Sequence, residues 1–292
     1  MLAMQQIIGG FATGAIYATL ALALVLINRA TRVVNFAQGQ MAVLSTYVGW
    51  ALVQLGLPTA AAVACAVVLA VPLGALIERL AIRRVAMESP LVVIVVTIGL
   101  LIFLNGVTGF IWSQEIKPFP SLFPADVVRV AGLAVSLESL GIIAVLAVLV
   151  VVLQLLFFRT RLGLAMRAVA DNPESSALSG LNVNLLLMSG WGLAAAVGAL
   201  AGCLVAPKVY LEPNMMNQIL VYALVAVIVG GLDSPLGVVV AAGMIGVAEN
   251  LAGTYVGFIG NDLKITVPLL LMCTVLMWRP QGLFGRMEKV RV

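Results

Sequence analysis

Few side chains in this sequence could do covalent chemistry, and none is grouped to do it. The 292 residues contain no histidine. The three cysteines, Cys65, Cys203 and Cys273, stand apart inside apolar runs without CxxC spacing, so no metal set can be assembled and they read as small packing residues. No pair of intramembrane carboxylates and no nucleophile with a base is present, which argues against a membrane-embedded enzyme. What remains are single polar groups in hydrocarbon. An ionisable side chain there costs about 2.5 to 3.5 kcal/mol on insertion scales, so it normally faces a cavity or a partner. Glu249 stands out, either lining a pathway or reaching the external interface, with Asn250 beside it. Asn105 reads as a helix-to-helix hydrogen bond. VGGLDSPLG (Val229–Gly237) breaks an apolar run at Gly230 and Gly231, with Asp233 or Ser234 as a helix cap. It is either a tight turn or a broken helix exposing backbone to a solute. NFAQGQMAVLSTYVGW (Asn35–Trp50) has a similar layout, with Asn35 and Gly39 at its break, and could be the first copy of an internal repeat. Gly10 with Gly14, and Ala242 with Gly246, have the small-xxx-small spacing of closely packed helices.

The elements that hold these residues are membrane helices. Hydrophobic residues make up 63% and charged ones 10% of the chain, against an apolar share of roughly 45–50% in soluble domains. The expected fold is all-α, a polytopic helical bundle of about eight or nine segments forming one domain over 1–292. The spans fall near Gln5–Ile27, Gly39–Leu55, Thr59–Ile77, Pro90–Ile111, Ser139–Phe158, Leu185–Ala206, Gln218–Gly231, Leu236–Leu251 and Leu263–Trp278. The seventh and eighth are short enough to be half-helices. The N-terminus has no basic residue before its apolar run, so the first segment is expected to be retained rather than cleaved.

Threading these spans puts Arg29, Arg32, Arg79, Arg83, Arg84, Arg159, Arg161, Arg167, Arg279, Arg286, Lys289 and Arg291 on one side, leaving Lys117, Arg129, Lys208 and Lys264 on the other. By the positive-inside rule the first side is cytosolic, with the C-terminus inside and the N-terminus outside. The net charge of +4 is therefore topological and marks membrane lipid, not nucleic acid, as the surroundings. The longest external loop is about 113–138, interrupted by Pro118, Pro120 and Pro124. The cytosolic loop, about 159–184, carries helix punctuation that a disordered linker would not need: Asp171 or Asn172 as cap, Pro173 and Glu174 in a first turn, and Gly180 as terminator.

That loop, with Glu174-Ser175-Ser176 and then Gly180, resembles the EAA...G loop of ABC importer permeases, with two serines in place of the alanines. The stretch from Gly10 to Gln40, TRLGLAMRAVADNPESSALSGLNV, VGGLDSPLGVVVAAGMIGVAEN and WRPQGLFG, in this order, resemble the LivH-type permease subunits of branched-chain amino acid ABC importers over nearly the whole chain. The resemblance implies half of a transmembrane channel in a bacterial inner membrane. Its implied partners are a LivM-type permease, two cytosolic ATPases that bind ATP-Mg, and an external solute-binding protein. No GxxxxGK[ST] loop is present to bind ATP in this chain, and no cofactor is expected in it. Short helices over Leu162–Ala170 and Pro173–Ser179 would then couple to the ATPase: Gly163 and Gly180 give the turns, Arg161, Arg167, Asp171 and Glu174 the charges, and Ala168, Ala177 and Leu178 the packing. The solutes implied are leucine, isoleucine and valine, with other amino acids, amides or urea as alternatives within related permeases. A secondary transporter or channel is the rival class, disfavoured because Glu249 is nearly alone as an intramembrane acid.

Overall fold

The computed structural model describes residues 2–85, 89–130, 133–257 and 263–285. Eleven α-helices are described: α1 (Leu2–Thr31), α2 (Gln38–Gln54), α3 (Thr59–Ile77), α4 (Pro90–Trp112), α5 (Leu137–Arg159), α6 (Arg161–Asp171), α7 (Pro173–Leu178), α8 (Val183–Val209), α9 (Met215–Gly230), α10 (Pro235–Tyr255) and α11 (Thr266–Trp278). Six of these, α1, α3 with its extension, α4, α5, α8 and α10, are long and apolar enough to cross a membrane, while α9 and α11 are apolar but shorter. Each expected span corresponds to a helix. The exception to the expected lengths is the eighth: α10 has 21 residues, long enough for a full span rather than a half-helix. Helix α9, with 16 residues, stays short.

Two local features lay outside the sequence expectation. Inside the proline-broken 113–138 segment, β1 (Val127–Val130) pairs antiparallel with β2 (Leu133–Ser136), Val127 opposite Ser136. At the end of α3 the chain runs on as a π-helical stretch, Glu78–Ile82. The wider turn brings the Arg83 N–H to the Glu78 carbonyl at 2.8 Å, and Arg83 Nη2 to the Glu78 carboxylate at 2.6 Å. Glu78 is buried, so this pairing neutralises a carboxylate that would otherwise be stranded in an apolar helix.

The helices group into two compact units. The first holds 1–25, 123–150 and 220–292. In it α1 meets α10 through the two small-residue motifs: a Cβ on Gly10 would lie 2.6 Å from the Cα of Val247, and one on Gly14 would lie 2.6 Å from the Ala242 carbonyl. Such contact requires glycine, because no side chain separates the two backbones. The second unit holds 26–122 and 151–219. Here α8 is the central element, with α3 on one side and α2 on another. A Cβ on Gly192 would meet the Val71 carbonyl at 2.9 Å, and one on Gly202 would meet the Ala42 carbonyl at 2.9 Å. Trp191, Tyr47 and Met41 are among the large side chains fully buried in this unit, and Tyr47 stacks on Trp112 of α4 at 5.1 Å.

The charges of this second unit sort by end. At one end Arg32 pairs with Asp171 at 3.1 Å, Arg83 donates to the Asn184 carbonyl at 3.3 Å, and Arg29 lies over the Phe157 ring at 5.7 Å. At the other, beyond the far ends of α4 and α8, Lys117 and Leu211 exchange backbone hydrogen bonds at 3.0 Å and the Lys117 ammonium lies over Trp50 at 5.1 Å. Arg286, Lys289 and Arg291 lie outside the described residues.

Candidate functional site

The segment between α5 and α8 is built as a folded two-helix loop. Thr160 caps α6, its Oγ1 accepting from the Gly163 N–H at 3.1 Å. Gly163 is required by the junction itself: a Cβ there would lie 2.5 Å from the Cα of Phe157. Of the two candidate caps for α7, Asn172 is the one used, accepting from the Ser175 N–H at 2.9 Å. Asp171 pairs instead with Arg32, tying the loop to the end of α1. The helix closes at Gly180, with φ +84°. The N–H groups of Gly180 and Leu181 return to the carbonyls of Ala177 and Ser176 at 3.0 and 3.1 Å, which is the Schellman arrangement.

The faces of this loop are distinct. Met166, Val169 and Ser176 are buried against the body, while Arg161, Ala168, Asp171, Glu174 and Ala177 are exposed. Leu178 is 91% exposed and Leu164 is 62% exposed. The guanidinium of Arg167 lies over the Phe158 ring at 5.2 Å. Exposed apolar and charged side chains are thus carried on capped helices that Asp171 tethers to Arg32.

The remaining candidates do not form one site. Asn35 is fully buried and serves the entry to α2: its Oδ1 accepts from the Ala37 N–H at 2.9 Å, and its Nδ2 donates to Gln38 Oε1 at 3.3 Å. Gly39 follows, buried, in the first turn of α2. In the other unit, Gly230, Gly231 and Asp233 lie in the connection between α9 and α10, which is a tight turn. A Cβ on Gly230 would meet the Val238 Cα at 2.5 Å, so the two helix ends lie side by side. Ser234 rather than Asp233 caps α10, accepting from the Gly237 N–H at 3.1 Å. The chain after α11 then packs onto this turn. Leu283 N–H donates to the Val229 carbonyl at 2.7 Å, and a Cβ on Gly231, at φ +95°, would lie 2.7 Å from the Gly285 nitrogen. Thus two of the sequence motifs, VGGLDSPLG and WRPQGLFG, build a single structure.

Glu249 sits well along α10 from that turn. It is 7% exposed, so the interface alternative gives way to an interior carboxylate with named partners. Tyr17 OH donates to Oε2 at 2.8 Å and Tyr222 OH donates to Oε1 at 3.3 Å. The two tyrosine rings stack at 4.5 Å and 15°. The triad therefore ties α1, α9 and α10 together, with both carboxylate oxygens receiving a donor.

The polar groups that sequence reasoning missed are carboxamides. Gln38 Nε2 donates to the Ala194 carbonyl at 2.9 Å. Gln40 Nε2 donates to the Pro213 carbonyl at 3.0 Å and to Asn217 Oδ1 at 3.2 Å. Asn105, expected to join two helices, donates to the same Pro213 carbonyl and to Asn214 Oδ1, both at 3.0 Å. The signal available in the sequence was the density of Gln and Asn at the starts of two short helices. Among the described residues, no group of three or more metal-ligating side chains is found.

The profile of the family described as the permease component of the branched-chain amino acid transport system matches residues 6–276. The chain is 27% identical to the high-affinity branched-chain amino acid transport system permease protein BraD of Pseudomonas aeruginosa, over 99% of this chain and 98% of that one. It is 28% identical to LivH of Escherichia coli K12, a permease protein of the same kind of system, over 99% and 97% of the two chains. A probable branched-chain amino acid transport permease protein LivH of Methanocaldococcus jannaschii is 29% identical over 91% and 87%. Taken with six membrane-length helices and the capped loop between α5 and α8, these matches show that the chain belongs to the family of permease components of branched-chain amino acid transport systems.

Proposed function

We propose that this chain is one permease half of an ATP-binding-cassette importer that moves branched-chain amino acids inward across a bacterial inner membrane. The observation that carries the reading is the family match over residues 6–276. The importer also contains a LivM-type permease, two cytosolic ATPases holding ATP-Mg, and an external solute-binding protein. Helices α2, α9 and α11 complete eight or nine membrane segments, with the N-terminus outside and the C-terminus in the cytosol. The gathering of Arg29, Arg32 and Arg83 at the α6–α7 end of their unit supports that orientation.

Coupling runs through α6 and α7. The exposed Leu178, Ala177 and Ala168 enter a groove of the ATPase, Glu174 and Arg161 set its register, and Gly163 and Gly180 keep the two turns tight. Closure of the ATPase dimer then pulls α6–α7 as a rigid body, transmitted through Asp171–Arg32 to α1 and through Gly163 to α5. Asn35, Gly39, Gly230, Gly231, Asp233 and Glu249 belong to the elements that shape or brace the translocation pathway. In vesicles containing the assembled importer, Glu174→Ala and Gly180→Val are expected to lower ATP-driven leucine uptake at least tenfold with the protein still in the membrane. Normal uptake in both variants would remove the coupling role.

A further inference from the structure

Helix α2 begins deep inside its unit. Gln38 reaches the Ala194 carbonyl, which lies about 17 Å along α8 from Val183 at roughly 1.5 Å per residue, near the midpoint of that 27-residue helix. From there α2 runs beside the second half of α8, with Thr46 against Gly202. The chain leaving α8 at Val209 touches Lys117 through Leu211 and then turns back inward, because Pro213 and Asn217 are bonded to Gln40 in the first turn of α2. Asn105, bonded to Pro213 and Asn214, lies about 10 Å inside the end of α4 on the same rise. Two helices shorter than a membrane, α2 and α9, thus start at one buried level, where irregular backbone is tolerated only in contact with protein or with a water-filled passage.

One atom of this cluster is unsatisfied. Gln40 is 1% exposed and its Oε1 has no hydrogen-bond partner. The amide cannot be turned to cure this, since its nitrogen must face the Pro213 carbonyl, which only accepts. Oε1 therefore awaits a donor. On the other side of the cluster Asn214 and Asn217 are exposed, and carboxamides at membrane depth do not face lipid tails. Asn217 uses one amide hydrogen on Asn214 Oδ1, at 3.2 Å, and keeps a second. It sits in the first turn of α9, where the helix dipole favours an anion.

We propose that Gln40, Asn105, Asn214 and Asn217 form the solute station of the pathway and hold the charged backbone of an amino-acid zwitterion. The ammonium donates to Gln40 Oε1, and the carboxylate lies against Asn217 at the start of α9. Gln40 and Asn217 are direct neighbours, Gln40 Nε2 donating to Asn217 Oδ1 at 3.2 Å, and the two charged groups of an α-amino acid are separated by one carbon atom. None of these four side chains carries a fixed charge, so the solute is oriented yet free to leave, as conduction requires. The assignment of an amino acid rests on the function proposed above.

The test uses the complete importer in proteoliposomes, with Cys65, Cys203 and Cys273 replaced by alanine. Asn217→Cys is expected to react with a membrane-impermeant methanethiosulfonate, and at least threefold more slowly when saturating leucine, still held at Gln40, occupies the station, whether or not the variant transports. Phe103→Cys, on the 64% exposed apolar face of α4, is expected not to react. Gln40→Met should lower uptake at least tenfold with partner co-purification unchanged. Gln40→Glu, as the neutral carboxylic acid, keeps an acceptor oxygen and offers its O–H to the Pro213 carbonyl in place of the amide, and should retain most of the uptake. Equal loss in both Gln40 variants would reduce the residue to a loop support, and absence of labelling in Asn217→Cys would remove the cluster from the pathway; either result overturns the proposal. Labelling slowed by alanine or glutamate, in an importer that moves no leucine, would support the station while contradicting the assigned solute.

Discussion

Glu249 combines burial with two specific donors, so its variants separate support from transport. Glu249→Ala leaves two tyrosine hydroxyls buried without their acceptor, at about 1 to 3 kcal/mol for an unsatisfied group. The expected result is a melting temperature several degrees lower in detergent. The triple variant Tyr17→Phe, Glu249→Leu, Tyr222→Phe removes all three polar partners together and should recover most of that loss, since an apolar replacement of matching volume strands nothing. Recovered stability with lost uptake would mark the triad as part of the moving pathway rather than a brace. Gly163 makes a second residue-level case. The Phe157 backbone occupies the place of any Cβ there, so Gly163→Val should displace α6 and lower uptake more than Gly163→Ala does.

At the scale of elements, the end of α3 and the α6–α7 loop respond to different perturbations. Arg83→Ala leaves Glu78, 1% exposed, as an uncompensated buried charge, and should destabilise the protein by about 3 to 5 kcal/mol. Glu78→Leu with Arg83→Met should cost far less, and thermal unfolding of the two variants checks the difference. Leu178→Asp changes a side chain that is already 91% exposed. It should leave unfolding unchanged while reducing co-purification of the ATPases by more than tenfold. These contrasts also mark what the sequence could disclose. Helix α7 was legible because its caps are local: Asn172, Pro173 and Gly180 announce a start and a stop without reference to anything distant. The small-residue motifs at Gly10 and Ala242 announced close packing, though spacing alone did not pair them. The π-helical turn was hidden because a 3.6-residue period places Glu78 and Arg83 on different faces. The Gln40–Asn105–Asn217 cluster was hidden for another reason. It depends on chain after α8 folding back to the start of α2, which only tertiary structure supplies.

At the scale of the whole molecule, the proposed importer draws its energy from partner subunits. Two compact units and a tethered surface loop are the parts such a division of labour needs, and the family match covers nearly all of them. The proposed orientation is tested at two surface positions. A cysteine placed at Ser179 should be labelled by an impermeant thiol reagent only from the cytosolic face, and one at Glu115 only from the outer face. The central claim is that solute moves through this chain at the expense of ATP hydrolysed by its partners. The most direct measurement is leucine uptake into proteoliposomes holding the assembled importer, with ATP and the solute-binding protein each supplied or withheld. The account predicts uptake only when both are present, and its loss when the ATPases are catalytically inactivated. Leucine flux that continues unchanged without ATP would contradict it and make the chain a passive or secondary carrier.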